Sequence, residues 1–108
     1  MNIQRLRNLT TNILHTEMSH VYEDLENIMG ERGLMPYMLP NVMRSVEPWL
    51  RKHVPEERFW DGEYDTTHCG EYMLPEPTAE ERETMFECYK MSRQLGGKKF
   101  LTVLAGCA

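Results

Sequence analysis

Four histidines and three cysteines are the residues of this 108-residue sequence best able to do chemistry. Their spacing decides what that chemistry could be. His15 and His20 are five positions apart, whereas a shared helical face needs three or four. Glu17 and His20 have the E-x-x-H spacing of half a di-iron carboxylate site. Such a site takes two of these motifs and further glutamates from other helices, and the sequence holds one. His68 and Cys69 are adjacent, and could supply two zinc ligands or an imidazole that activates a thiol. No second pair at C-x₂-C or H-x₃-H spacing accompanies them. The histidines therefore read as surface or hydrogen-bonded side chains, and neither a metal nor a cofactor is expected. Cys69, Cys88 and Cys107 are odd in number and evenly spread, which is no disulfide framework. They are expected to be reduced thiols.

Other catalytic signatures are missing. There is no G-x-S-x-G, no S-x-x-K, no P-loop and no G-x-G-x-x-G. Gly96-Gly97-Lys98-Lys99 follows a helical pattern, so it meets the wrong end of the dipole for phosphate. The net charge is −5, and Arg5, Arg7, Arg44, Arg51, Lys52, Lys98 and Lys99 are scattered. That is not the footprint of a nucleic-acid-binding domain, and no direct nucleic-acid partner is expected.

The charge is unevenly placed. Residues 55–87 hold eleven acidic residues against two basic, a net of −9, and the rest of the chain carries +4. Aromatic residues lie among those acids. An acidic surface with aromatic anchors suits a protein interface that steers by charge and holds by ring burial. The expected contact residues are Phe59, Trp60, Asp61, Glu63, Tyr64 and Asp65, with Glu80, Glu81 and Glu83 as a charged rim. A basic, nucleic-acid-handling protein is the partner this chemistry fits. The expected function is therefore non-enzymatic protein binding, as a stoichiometric inhibitor. Two alternatives stand beside it: a small metal- or thiol-dependent enzyme using His68 and Cys69, and a homodimer through the N-terminal helix.

The elements that must position these residues follow from apolar spacing. Residues 3–29 read as one long helix, with Leu14, Met18, Val21, Leu25 and Ile28 on a heptad seam, stopped by Gly30 and Gly33. Thr10, Thr11 and Asn12 form helix poorly and mark where it would split. A second helix runs from about Pro40 to His53, with a kink or break expected before Pro48. Residues 55–77 are irregular, with a weak hairpin signal at Asp61-Gly62. Thr78-Ala79-Glu80-Glu81 is a capping box that opens a third helix, closed by Gly96-Gly97. Residues 98–104 suit a strand or a last helical turn. The fold class is mainly α: a single three-helix domain over 1–108 with a small hairpin.

Leu34-Met35-Pro36-Tyr37-Met38-Leu39-Pro40, then Val46-Glu47-Pro48-Trp49-Leu50 and His53-Val54-Pro55, resemble a pattern in small phage-encoded accessory proteins. The resemblance covers about twenty residues. It implies a small mobile-element protein of the host-defence-inhibitor kind, such as the anti-CRISPR proteins, which act by stoichiometric binding. No residue roles carry over with it.

The length suits one modest core. The longest apolar run, residues 100–105, is far below the ~20 residues a membrane span needs. Residues 3–14 lack a signal-peptide pattern. A cytoplasmic protein is expected, in the host cell if phage-encoded, with no membrane partner.

Overall fold

Asn2 opens the first helix, its Oδ1 accepting from the backbone N–H groups of Gln4 (2.9 Å) and Arg5 (3.2 Å). The computed structural model describes residues 1–95, with side chains to Met91. It contains four α-helices: α1 (Ile3–Thr10), α2 (Met18–Met29), α3 (Leu39–His53) and α4 (Ala79–Leu95). Single 3₁₀ turns lie at Pro36–Met38 and Glu57–Phe59. The mainly helical expectation holds. The long N-terminal helix does not, because it is two helices.

Side chains cause that break. Thr11 Oγ1 donates back to the Arg7 carbonyl (2.6 Å) and accepts from Ile13 N–H (3.1 Å). Asn12 takes φ +60°, the left-handed region that asparagine tolerates. Asn8 Oδ1 accepts from the N–H groups of His15 (2.6 Å) and Thr16 (3.2 Å). Short polar side chains thus take the backbone groups a helix would have used. The chain turns back, and Arg5 clamps Asp24 of α2 with two bonds of 3.0 and 2.7 Å.

Gly30 ends α2 at φ +75°, its N–H on the Glu26 carbonyl at 2.8 Å. A Cβ there would meet Arg82 Nε of α4 at 3.0 Å. Arg82 needs that space, since it donates to the last α2 carbonyls, Asn27 and Ile28, at 3.0 Å each. The glycine therefore serves both the turn and the α2–α4 contact.

Pro40 lies in the first turn of α3, as expected. Pro48 does not break the helix, which runs on to His53. Val42, Val46, Trp49 and Leu50 are buried on its inner face. Burying each contributes about 1.5–3 kcal/mol. Together they exceed the ~3 kcal/mol cost of an interior proline.

The capping box forms as read. Thr78 N–H donates to Glu81 Oε1 (2.9 Å), and Glu81 N–H donates to Thr78 Oγ1 (3.1 Å). The backbone N–H of Thr78 holds the Glu81 carboxyl below its usual range, against the opposing effect of burial. The Gly96-Gly97 stop and the strand over 98–104 lie outside the described residues.

The hairpin at Asp61-Gly62 is absent, and no strand occurs among the described residues. Gly62 does take a positive φ, +70°. The carbonyls of Arg58 and Glu63, on either side of it, accept instead from the Arg7 side chain of α1. One antiparallel bridge joins Asn2 to Glu71, with Ile3 N–H on Gly70 O (2.9 Å).

One apolar core lies among the four helices, with Leu6, Leu25, Val46 and Leu50 within it and Phe59 closing it from the loop. The seam residues Val21, Leu25 and Ile28 belong to this core, so the seam faces inward. Only Leu14 and Met18, at its start, are exposed. Cys69 is free and exposed. Cys88 is buried on α4. Among the described residues, no helix is long and apolar enough to cross a membrane.

Candidate functional site: a loop clamped on Arg7

Arg7 sits on α1 and is wholly buried. A guanidinium has five N–H donors and no acceptor. All five are placed. Nε donates to His15 Nε2 (3.3 Å). Nη1 donates to the Arg58 carbonyl and to His68 Nδ1, both at 2.7 Å. Nη2 donates to Asp61 Oδ1 (3.2 Å) and to the Glu63 carbonyl (2.7 Å). Four of the five acceptors belong to residues 58–68. The acidic, aromatic segment is therefore wrapped on one buried cation. Gln4, one turn earlier, adds bonds to the Asp65 and His68 carbonyls at 3.0 and 2.6 Å.

The loop also braces itself. Asp61 Oδ1 accepts from Glu63 N–H (2.9 Å). That backbone bond, and after it the Arg7 charge, holds the Asp61 carboxyl below its usual range against some burial. Asp65 accepts from the Thr67 hydroxyl and N–H and from Arg58 (2.9 Å). The Thr67 hydroxyl first, then Arg58, holds its carboxyl well below the carboxylate range. The His68 ring packs on Phe59 at 4.5 Å, and burial, then the charges of Arg58 and Arg7, lower its pKa.

The expected contact residues separate by environment. Phe59 is only 2% exposed and belongs to the core, where it also meets Tyr72 edge-on. Its burial removes it from any surface. Trp60 is half-buried, donates Nε1–H to the Val54 carbonyl (2.7 Å) and lies beneath the Arg51 guanidinium. Asp61 and Asp65 are held by Arg7 and Arg58. Glu63 and Tyr64 are exposed, with the Tyr64 ring stacked on His15 at 5.0 Å. Glu80 and Glu83 are exposed on α4, while Glu81 is half-buried in the capping box and beside His53. Different elements hold the two groups: the loop tip reaches His15, just before α2, whereas Glu81 of the rim reaches Lys52 and His53 at the end of α3 and its neighbour Arg82 reaches Asn27.

His68 and Cys69 are not brought together, since Nδ1 of the imidazole is on Arg7 and no hydrogen bond joins the pair among the described residues. No group of three His, Cys, Asp or Glu among the described residues could hold a metal ion. Spacing gave no sign of Arg7, which read as one of several scattered basic residues. A second feature is a cleft of about 380 Å³ lined by Leu9, Leu14, Met18, Leu39 and Met43.

A family described as a domain of unknown function, DUF7736, matches residues 1–60, more than half of the chain. The chain belongs to that family. No curated protein and no solved structure matches it. The DUF7736 match takes in Arg7, His15 and the Arg58 carbonyl. It ends before Asp61, Glu63 and His68, so the buried donor lies within the family domain and the outer half of the clamp beyond it.

Proposed function

We propose that this chain is a non-catalytic protein-binding module that presents Tyr64, Glu63 and their acidic neighbours to a basic partner. The observation that carries this reading is the Arg7 clamp. It fixes a 58–68 loop that has no regular secondary structure beyond one 3₁₀ turn, while leaving Tyr64 62% exposed. A preordered aromatic loses little entropy on binding, which is what an interface anchor requires. Glu57 and Glu63 are exposed and form no ion pair among the described residues, so they are available for steering. The proposed surface is narrower than the sequence suggested. Phe59 leaves it, Trp60 becomes a support, and the α4 glutamates form a separate patch. Inhibition of a nucleic-acid-handling protein is the form of activity such a surface suits.

The test is a pull-down from lysate of the source cells with wild type and Tyr64→Ala, at low salt and at ~0.5 M salt, where exposed charge pairing is screened. A stoichiometric basic partner is expected with wild type at low salt. High salt should remove it, and Tyr64→Ala should weaken it ~30-fold, as for an interface anchor. The melting temperature of the variant should match wild type. A partner that Tyr64→Ala retains in full, or none at either salt, would refute the reading.

A further inference from the structure

Two of the five acceptors on Arg7 are imidazole nitrogens, and this fixes their protonation. A guanidinium only donates, so the His68 Nδ1 lying 2.7 Å from Arg7 Nη1 carries a lone pair. The ring proton is on Nε2. His15 Nε2 accepts from Arg7 Nε and from Asp65 N–H, both at 3.3 Å, while its Nδ1 donates to the Ile13 carbonyl at 2.8 Å. Protonating either ring at its accepting nitrogen would set N–H against N–H, beside a wholly buried guanidinium.

No carboxylate hydrogen-bonds either ring among the described residues. Around these rings stand Arg7 from α1 and Arg58, Asp61, Tyr64 and Asp65 from the loop; the two carboxylates favour a protonated His68 by charge, but burial and the two guanidiniums outweigh them. His20 of α2 reaches this neighbourhood only through the Thr16 hydroxyl. Glu56 lies behind Tyr72, whose hydroxyl donates to it at 2.7 Å. Both nearby carboxylates, Asp61 and Asp65, already accept from Arg7, Arg58, Thr67 and backbone N–H groups. Neither hydrogen-bonds His68 among the described residues.

We propose that His68 is a proton-operated latch: the neutral ring ties the 58–68 loop to Arg7, and its protonation releases the loop, with the His15 contact yielding in the same event. Near neutral pH the loop is fixed, and mild acid frees it. If the loop is the binding surface proposed above, the latch also regulates that surface. Only this consequence rests on that reading.

The test uses the free, ¹⁵N-labelled protein from pH 8 to pH 5. Imidazole ¹⁵N shifts report protonation of His68. Hydrogen exchange of the Asp65 amide, corrected for its intrinsic pH dependence, reports the loop. The Val54 amide, on the Leu50 carbonyl at 2.7 Å at the end of α3, lies outside the loop and is the internal control. Asp65 exchange is expected to rise at least ~10-fold across the His68 titration, as for a local opening, with Val54 unchanged. His68→Asn places a non-titrating oxygen near the position of Nδ1, and should flatten the rise. An equal rise in His68→Asn and wild type would overturn the latch. So would a His68 that protonates while Asp65 exchange stays flat, a result wild type gives even if the variant does not fold. Because no partner is present, failure of the binding reading leaves this result intact.

Discussion

Arg7 and Asp61 form an ion pair at 3.2 Å, yet the two residues should differ sharply in importance. The Asp61 side chain is 34% exposed, so water can replace what it loses. Asp61→Asn should leave the urea midpoint close to that of wild type. Arg7 has no such recourse. Arg7→Met keeps the unbranched apolar stem but leaves two carbonyls and His68 Nδ1 without their donor, and His15 Nε2 with the Asp65 N–H alone, at about 1–3 kcal/mol for each group left unpaired and buried. We expect Arg7→Met to destabilise by about 3 kcal/mol or more, read as a fall in the urea midpoint at unchanged slope. A loss as small as that of Asp61→Asn would show that Arg7 is not the clamp. Nothing in the sequence separated Arg7 from the other basic residues, because its partners lie 51 to 61 positions away, apart from His15. The aromatic residues were legible only as a cluster. Spacing could not show that Phe59 turns into the core while Tyr64, five residues on, turns out.

Local signals in the sequence survived at the scale of elements. The T-x-x-E box, Gly30 and Pro40 each act through neighbours within one turn, and each does in the structure what its spacing predicts. Readings that weighed local preference against tertiary packing fared less well. Thr10, Thr11 and Asn12 marked the end of α1, but not the seven-residue interval before α2, which Asn8 stabilises from inside α1. Pro48 predicted a kink or a break, and the buried face of α3 carries the helix past it unbroken. The proline still omits one bond of the helical ladder. Pro48→Ala should therefore raise stability by about 1–2 kcal/mol, the regained bond being partly offset by greater freedom of the unfolded chain. Thermal melts with circular dichroism would check this. A lower melting temperature would mean that the half-buried proline ring contributes more by packing than it costs the helix.

The whole molecule carries its charge asymmetry in a folded form that makes it sensitive to acid. The acidic stretch over 55–87 has two bases, Arg58 and Arg82, and both pair within it, with Asp65 and Glu76. Among the described residues, its ion pairs with the rest of the chain run through the Met1 amino group, Arg7, Lys52, His53 and Lys90. Two groups of titrations then act in the same direction. The His68 pKa is lowered by folding, so below the unfolded value of about 6.5 the unfolded chain takes up the proton more readily. Stability should fall as pH drops from there. Asp61, Asp65 and Glu81 are held below their usual carboxylate ranges, so their contributions persist to about pH 4 and are lost beneath it. At the other extreme, burial, and then the hydrogen bond to Glu56, push the Tyr72 hydroxyl up to about 12. Its contribution should disappear as pH rises from about 10 towards that value, because the unfolded chain loses the proton first. Urea midpoints across this range should therefore fall in two steps on the acid side. His68→Asn should remove the upper step and leave the lower one. A single acid step below pH 4, shared by wild type and variant, would mean that the Arg7 clamp accommodates a protonated imidazole.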